Sequence, residues 1–364
     1  MMNVIVFGDI CPVSGQMSLN IASGSDEILI GNLECPLTNK PMPVKKAGPV
    51  LYCPENLASK LQTQGFYALS LANNHIRDCG DAAVYNTIKV CGEVGIRTFG
   101  AGQTQADALE PLIVERDGLK LGVISFAERE FNYAKKGKAG AAVFDPYESY
   151  DRISALKQSV DAVVVLYHGG IEHYIYPTPL LQKKCRKMVD AGADVVLCQH
   201  SHCIGTRESY NDGEILYGQG NSVFGYRKGD DSWNYGLIVK IALSKTGAKV
   251  DYDVLENKSD GTVILADDNS RNEILGFLEA HSSKINDTTF IEEEWKKFCK
   301  RREALYLPMI LGFGKNTNRL NRLLGNAIVR LFYSRRQLNI IHNIIRCDAH
   351  EEVLETILEE YEFE

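Results

Sequence analysis

The chain has 364 residues, 45% of them hydrophobic, which is enough for one large domain with a core and an appendage. Its formal net charge of -7 argues against a protein that binds nucleic acid. Ten cysteines without a framework spacing, no basic leader and no apolar stretch of about 20 residues predict a reduced, cytoplasmic protein without a membrane span.

Strand and helix patterns alternate along the first part of the chain. Apolar runs predict strands at residues 3–9, 28–30, 67–72, 162–167 and within 193–202. Helical spacing predicts helices at residues 55–64, 81–94, 150–160 and 179–190. Predicted hairpins cover 112–126, around the turn Asp117-Gly118, and 236–255. This order predicts an α/β protein with a mixed sheet, or with two stacked sheets and helices outside.

The pattern changes beyond about Asp268, where long helical periodicity begins. We therefore predict a first domain at residues 1–267 and a helical region at 268–364. The segment 296–346 is basic and carries apolar residues, whereas the last stretch, which ends at Glu364, is acidic. The basic segment either makes a peripheral contact with anionic lipid or packs on the first domain or on a second subunit, as in a homodimer. The packed arrangement is the commoner one.

Five of the apolar runs end in side chains that can bind a metal: Asp9, Glu34, Asn74 with His75, His168, and His200 with His202. Each alone has a simpler role as a cap, a turn residue or a buried donor. Together, at the strand ends where α/β proteins build their sites, they favour a metal centre. This ligand set suits one or two divalent ions, with Mn, Fe or Zn more suitable than Ca. We expect His200 and His202 to point the same way, since they lie two apart in an extended chain.

The order of these motifs resembles that of a known family. The motifs are Gly8-Asp9, Asn32-Leu33-Glu34, Asn73-Asn74-His75, His168-Gly169-Gly170, Gln199-His200-Ser201-His202 and Gly220-Asn221-Ser222-Val223-Phe224. In this series residues 3–255 resemble the CapA family of bacterial capsule and poly-γ-glutamate synthesis proteins, within the calcineurin-like metallophosphatase superfamily. The resemblance implies an αββα sandwich with metals at the strand ends.

The resemblance also implies roles for individual residues. Asp9 and His202 would bind a first metal, Glu34 would bridge, and the second metal would take Asn74, His168 and His200. His75 would be the general acid, and Asp78 would either orient it or cap the following helix. The superfamily's Asp-x-His motif has Cys11 at its third position here, which leaves occupancy by one metal or by two open.

The expected substrate is an anionic small molecule or polymer, with Asn221, Glu172 and Arg129 as candidate contacts. A surface salt bridge is the simpler role for Arg129. The resemblance predicts a metal-dependent phosphoesterase-like hydrolase that acts in the synthesis or export of poly-γ-glutamate or capsular polysaccharide. Two alternatives stay open: a non-catalytic polymer-assembly protein that binds an anionic chain, and a metallohydrolase that acts on an amide.

Overall fold

A computed structural model describes residues 1–12, 18–20, 26–310, 312 and 314–359. The described residues form two compact units, Met1–Ile291 and Glu292–Glu364. The first unit contains all the strands found among the described residues and the helices that cover them.

The larger sheet of the first unit is built around its first strand. Among the described residues its order is β2 (Ser18–Asn20), β17 (Thr262–Leu265), β16 (Gly247–Asn257), β15 (Tyr235–Ser244), β1 (Met2–Ile10), β3 (Glu27–Leu33), β4 (Phe66–Ser70) and β5 (Arg97–Phe99), and β14 (Asn221–Val223) also pairs with β1. Strand β1 runs parallel to β3 and β14, and antiparallel to β15. The parallel strands therefore bring their carboxyl ends to one edge.

The second sheet has a parallel centre. Its order is β12 (Arg207–Tyr210), β13 (Gly213–Leu216), β11 (Val195–Gln199), β10 (Ala162–His168), β8 (Leu119–Ala127) and β7 (Leu112–Arg116), and a separate small sheet pairs β6 (Ala101–Gly102) with β9 (Gly140–Ala141). Strands β8, β10, β11 and β13 are parallel, whereas β7 and β8 form the predicted hairpin. Its turn residues Asp117 and Gly118 both have positive φ, as a two-residue hairpin turn requires.

The two sheets stack face to face, with helices on both outer faces. Alternation along the strands places Val4 and Val6 of β1 in one apolar cluster with Val164 and Leu166 of β10, between the sheets. The outer side chains of the larger sheet pack against α1 (Asn56–Thr63) and α2 (Gly80–Glu93). Those of the second sheet pack against α4 (Ser149–Lys157) and α5 (Pro179–Asp190). The predicted α/β class, with two stacked sheets in an αββα sandwich, is confirmed.

The remaining helices are short or lie toward the C-terminus. They are α3 (Gln105–Ala108), α6 (Asp231–Asn234), α7 (Asp268–Ser282), α8 (Thr288–Ile310), α9 (Lys315–Leu323), α10 (Ala327–Phe332), α11 (Arg335–Arg346) and α12 (Asp348–Glu359). Leu323 and Leu331 are exposed among the basic side chains of their helices. No helix in the described part of the chain combines the length and the apolar character that a membrane span requires. Lipid contact and a homodimer stay predictions, and the acidic residues after Glu359 lie outside the described residues.

Candidate metal centre

Five strand ends meet at one edge of the stacked sheets. Asp9 lies near the end of β1, Glu34 directly follows β3, Asn74 and His75 follow β4, His168 ends β10, and His200 and His202 follow β11. Asn74 is half-buried and the other side chains are buried. The structure therefore brings together all the side chains that the sequence predicted as ligands.

The ligand atoms form two groups that share one carboxylate. The candidate ligand atoms of Asp9, Glu34 and His202 lie within 4.8 Å of one another, and so do those of Glu34, His168 and His200. Asn74 joins the second group, since its Oδ1 lies 3.0 Å from His168 Nε2. Glu34 Oε1 lies 3.4 Å from the same nitrogen. The Glu34 carboxylate therefore has one oxygen that could bind a cation in each group.

The chemistry of the two groups fits a divalent cation. Both carboxylate oxygens of Glu34 and Nδ1 of His200 are buried and have no hydrogen-bond partner among the described residues. Burial, with a further contribution from the charge of Asp9, raises the pKa of Glu34 well above its ordinary value. Burial lowers the pKa of His168 and, more strongly, that of His200, which favours the neutral imidazole that binds metals. A cation would compensate the buried carboxylate and use the unpaired atoms.

The backbone after β11 differs from the prediction. His200 and His202 have φ of 83° and 51°, in the left-handed region, so the extended backbone expected at these two histidines is wrong, although both side chains reach the centre. Their ring centroids lie 6.2 Å apart, and each joins a different group. The N–H of His200 donates to Asp9 Oδ2 at 3.0 Å, which offsets part of the strain of this conformation.

Two asparagines of the strand-end motifs, Asn32 and Asn73, hold the centre in place. Asn32 Nδ2 donates to Asp9 Oδ1 at 2.7 Å and lies 3.1 Å from His168 Nδ1. Asn73 Nδ2 donates to Asn32 Oδ1 at 3.1 Å and to the Leu33 carbonyl at 2.8 Å. These bonds orient the side chains next to the cation site, and such contacts tune metal affinity.

The candidate general acid has two charged neighbours. His75 Nδ1 lies 2.6 Å from Asp78 Oδ2 and 3.2 Å from Lys46 Nζ, and Lys46 also forms an ion pair with Asp78. Burial lowers the pKa of His75, whereas its contact with Asp78 opposes this change. The N-cap of α2 is Cys79, so the alternative role of Asp78 as the helix cap is wrong. No sequence pattern predicts Lys46 at this site.

A cavity of about 840 Å³ opens beside the centre. Its lining includes His75 and His202, the aromatic rings of Phe224 and Trp233, and the charged residues Glu172, Arg227 and Lys258. Of the three predicted substrate contacts, Glu172 is therefore the one found at this surface.

The other two predicted contacts lie elsewhere among the described residues. Asn221 is buried, with its Oδ1 2.9 Å from His202 Nδ1 and its Nδ2 donating to the Trp233 carbonyl at 2.9 Å. Both ends of its amide are thus used inside the protein, and it orients His202. Arg129 is exposed, and its guanidinium lies 5.6 Å from the centre of the Tyr133 ring.

Comparison with solved structures gives low similarities. A crystal structure described as a novel phosphatase from Mycoplasma pneumoniae has a TM-score of 0.46 and 11% identity, over 70% of this chain and 93% of that one. A hypothetical protein from Thermus thermophilus has a TM-score of 0.44 and 12% identity, over 70% and 99%.

Comparison with protein sequences gives a family. The capsule biosynthesis protein CapA of Bacillus anthracis is 30% identical over 217 residues, which are 58% of this chain and 49% of that protein. The PGA biosynthesis protein CapA of Bacillus subtilis is 30% identical over 230 residues, 61% of this chain and 59% of that protein. The chain thus spans about half the length of these relatives. Residues 14–226 match the model of the family described as bacterial capsule synthesis protein PGA_cap. This match covers more than half of the chain and confirms the predicted resemblance to CapA proteins, so the chain belongs to the PGA_cap family.

Proposed function

We propose that this protein is a metal-dependent phosphoric ester hydrolase that acts in the synthesis or export of a surface polymer, poly-γ-glutamate or capsular polysaccharide. The observation that carries the proposal is Glu34, which is shared by two buried groups of ligands near His75. Family membership supports the link to a capsule polymer. The names of the two CapA relatives support the same link, although the chain matches only part of their length.

The residues of the two groups would hold one or two divalent ions, Mn, Fe or Zn. Asp9, Glu34 and His202 would hold one ion, and Glu34, His168, His200 and Asn74 would hold the other. Such ions, when bound, stabilise negative charge on phosphoryl oxygens and lower the pKa of water. Asn32 and Asn221 would keep Asp9 and His202 in position through the hydrogen bonds described above.

His75 would supply the proton that the leaving oxygen needs. Its Nδ1 is committed to Asp78, so Nε2 is the ring nitrogen left to donate. Asp78 fixes the ring by this contact and accepts a further bond from the Leu51 N–H at 2.7 Å. Asp78 also forms an ion pair with Lys46, and its carboxylate oxygen beside Nδ1 favours a proton on that nitrogen. His75 is therefore held by one nitrogen and presents the other for chemistry.

The cavity supports an anionic substrate. Arg227 lines it together with His75, and its guanidinium lies over the ring of Trp233. A cation stacked on an aromatic ring in this way stays oriented while it faces an anion. Lys258 also lines the cavity but forms an ion pair with Glu256, and the lining includes the carboxylates of Glu172 and Asp260. Arg227 would attract the phosphate or a carboxylate of a polymer at some distance from the bond that is cleaved.

The direct test is turnover by the full chain after chelation and after addition of Mn²⁺, Fe²⁺ or Zn²⁺. We expect hydrolysis of an aryl phosphate only with a cation present, and its loss in Glu34→Gln and His200→Ala. The matched controls are Glu115→Gln and His350→Ala, whose side chains are exposed, and these should keep full activity.

Two outcomes would contradict the proposal. A metal-loaded protein that cleaves a γ-glutamyl amide but no phosphoester would favour amide chemistry. Binding of poly-γ-glutamate without any hydrolysis would favour an assembly protein.

A further inference from the structure

Three cysteines from separate segments meet in the core beside the candidate metal centre. The sulfurs of Cys11, Cys35 and Cys53 lie within 4.8 Å of one another. All three are almost fully buried, at 0%, 0% and 1% exposure. Cys11 follows Asp9 by two positions and Cys35 directly follows Glu34, but this thiol cluster shares no member with the two groups described above.

The backbone holds the three positions firmly. The N–H of Cys11 donates to the Val223 carbonyl at 2.7 Å. The N–H of Cys53 donates to the Pro36 carbonyl at 3.0 Å, and its carbonyl accepts from Thr38 at 2.9 Å. The backbone of Cys53 is thus hydrogen-bonded to the segment that directly follows Cys35 in the sequence. These backbone hydrogen bonds therefore hold the three sulfurs close together before any ion binds, which gives a preorganised ligand set.

Apolar packing alone does not account for this cluster. A buried free cysteine is usually a small apolar residue, and Cys91, also in the core below the larger sheet, is an example. Three sulfurs within 4.8 Å of one another are different, because the same space could be filled by apolar side chains without any polar atom. Cys53 Sγ also lies 3.6 Å from the Pro12 carbonyl oxygen, which adds a fourth donor atom next to the sulfurs.

The spacing suits a thiolate-bound cation. Bonds of about 2.3 Å between zinc and sulfur at tetrahedral angles place the sulfurs about 3.8 Å apart. This separation is compatible with the sulfurs of Cys11, Cys35 and Cys53, which lie within 4.8 Å of one another. Soft sulfur ligands select Zn²⁺ or Cu⁺ over Mn²⁺ and Mg²⁺. With three thiolates, Zn²⁺ leaves one net negative charge in the core and Cu⁺ leaves two, so Zn²⁺ is the less costly occupant.

We propose that Cys11, Cys35 and Cys53 form a second, structural metal site for Zn²⁺, with the Pro12 carbonyl oxygen as the nearest fourth donor. The three thiol protons pass to solvent when the ion binds. Because Cys11 and Cys35 continue from the ends of β1 and β3, the ion would fix the segments that carry Asp9 and Glu34. The proposal is independent of the reaction at the carboxylate-histidine centre.

The test uses the reduced full chain and Cd²⁺, which binds such sites and gives an ultraviolet charge-transfer absorption when it is bound to thiolates. We expect this absorption in the unsubstituted protein and in Glu34→Gln. Cys35→Ala and Cys53→Ala should weaken the Cd²⁺ affinity measured by this signal by more than about 100-fold, beyond the range for residues that only support a ligand. Cys91→Ala is the matched control and should keep the signal.

X-ray absorption of the zinc-loaded, unsubstituted protein gives a second measurement that needs no variant. We expect sulfur neighbours at about 2.3 Å from zinc. A zinc environment of nitrogen and oxygen alone would overturn the proposal. So would the absence of a cadmium-thiolate absorption in the reduced, folded protein, or its full retention in Cys53→Ala.

Discussion

We predict that His75→Gln slows hydrolysis of an alkyl phosphate far more than hydrolysis of an aryl phosphate with an acidic phenol. An alkoxide leaves slowly without a proton, whereas an acidic phenolate leaves without help. His75 lines the cavity and its Nδ1 lies 2.6 Å from Asp78, so its other nitrogen is available to supply the proton. The decrease in rate that follows from losing this proton should therefore depend on the leaving group.

The expected magnitude follows from what His75 does and from what the substitution leaves intact. General acid catalysis contributes about 10²–10⁴-fold in rate, which corresponds to about 2.7–5.4 kcal/mol of activation free energy at about 1.36 kcal/mol per factor of ten. The fold should survive, because Asp78 keeps its contacts with Lys46 and with the Leu51 N–H. We therefore expect kcat to fall by about 10²–10⁴-fold with the alkyl phosphate and only slightly with the activated aryl phosphate.

The assay measures kcat for both substrates with saturating metal, in the unsubstituted protein, in His75→Gln and in His173→Gln. His173 also lines the cavity but is exposed and lies outside both ligand groups, so it controls for a change in the cavity surface. Thermal unfolding of each variant verifies that the fold is kept. Equal losses with the two substrates in His75→Gln would refute the role of His75 as the general acid.

Three further predictions concern metal binding and stability. Glu34→Gln should raise the melting temperature of the metal-free protein at neutral pH, because burial raises the pKa of Glu34 and ionisation disfavours the folded state. This gain should vanish as the pH falls below the unfolded-state pKa of about 4.3. Asp78→Asn leaves Lys46 without its buried partner and should lower the free energy of unfolding, measured in urea, by about 3–5 kcal/mol, whereas the double variant with Lys46→Met should recover most of it. Asn221→Ala frees the ring of His202 and should weaken metal binding, measured by calorimetry, by roughly 10–100-fold.

Each of these three predictions has its own control. Mn²⁺ at 100 times its Kd should stabilise the unsubstituted protein by about 2.7 kcal/mol per site, and Glu34→Gln should lose this effect. A metal-free Glu34→Gln protein that melts below the unsubstituted one would show that Glu34 is compensated within the protein. Additive losses in the Lys46 and Asp78 variants would show that the ion pair contributes little. For Asn221, unchanged affinity in the alanine variant would show that His202 is fixed by its aromatic neighbours.

The sandwich and the position of the candidate centre could be predicted from the sequence for a physical reason. Buried parallel strands are continuous apolar runs, and the polar side chains that follow each run mark where the strand leaves the core. Asp9, His168 and His200 all follow such runs in β1, β10 and β11. Parallel strands place those points at one edge, so local patterns were sufficient to bring these residues together.

The backbone direction after β11 could not be predicted in the same way. A histidine with positive φ is uncommon, and no neighbouring residue in the sequence demands this conformation at His200. It depends on a contact across the two sheets, the bond from the His200 N–H to Asp9 on β1. The local pattern therefore predicted that both histidines reach the centre, whereas the assignment of each one to its group came from the family resemblance.

Lys46 shows most clearly what a local sequence pattern cannot predict. It lies in a loop without apolar periodicity, where one lysine among several carries no sign of its destination. Asp78 decides its position, because the Asp78 carbonyl accepts from the Val44 N–H at 3.0 Å and its carboxylate accepts from the Leu51 N–H at 2.7 Å. Asp78 is thus hydrogen-bonded to the loop on both sides of Lys46, and this places the lysine ammonium next to the Asp78 carboxylate. Since a buried aspartate beside a histidine needs a compensating charge, Asp78 itself was the signal that a cation must arrive from elsewhere in the chain.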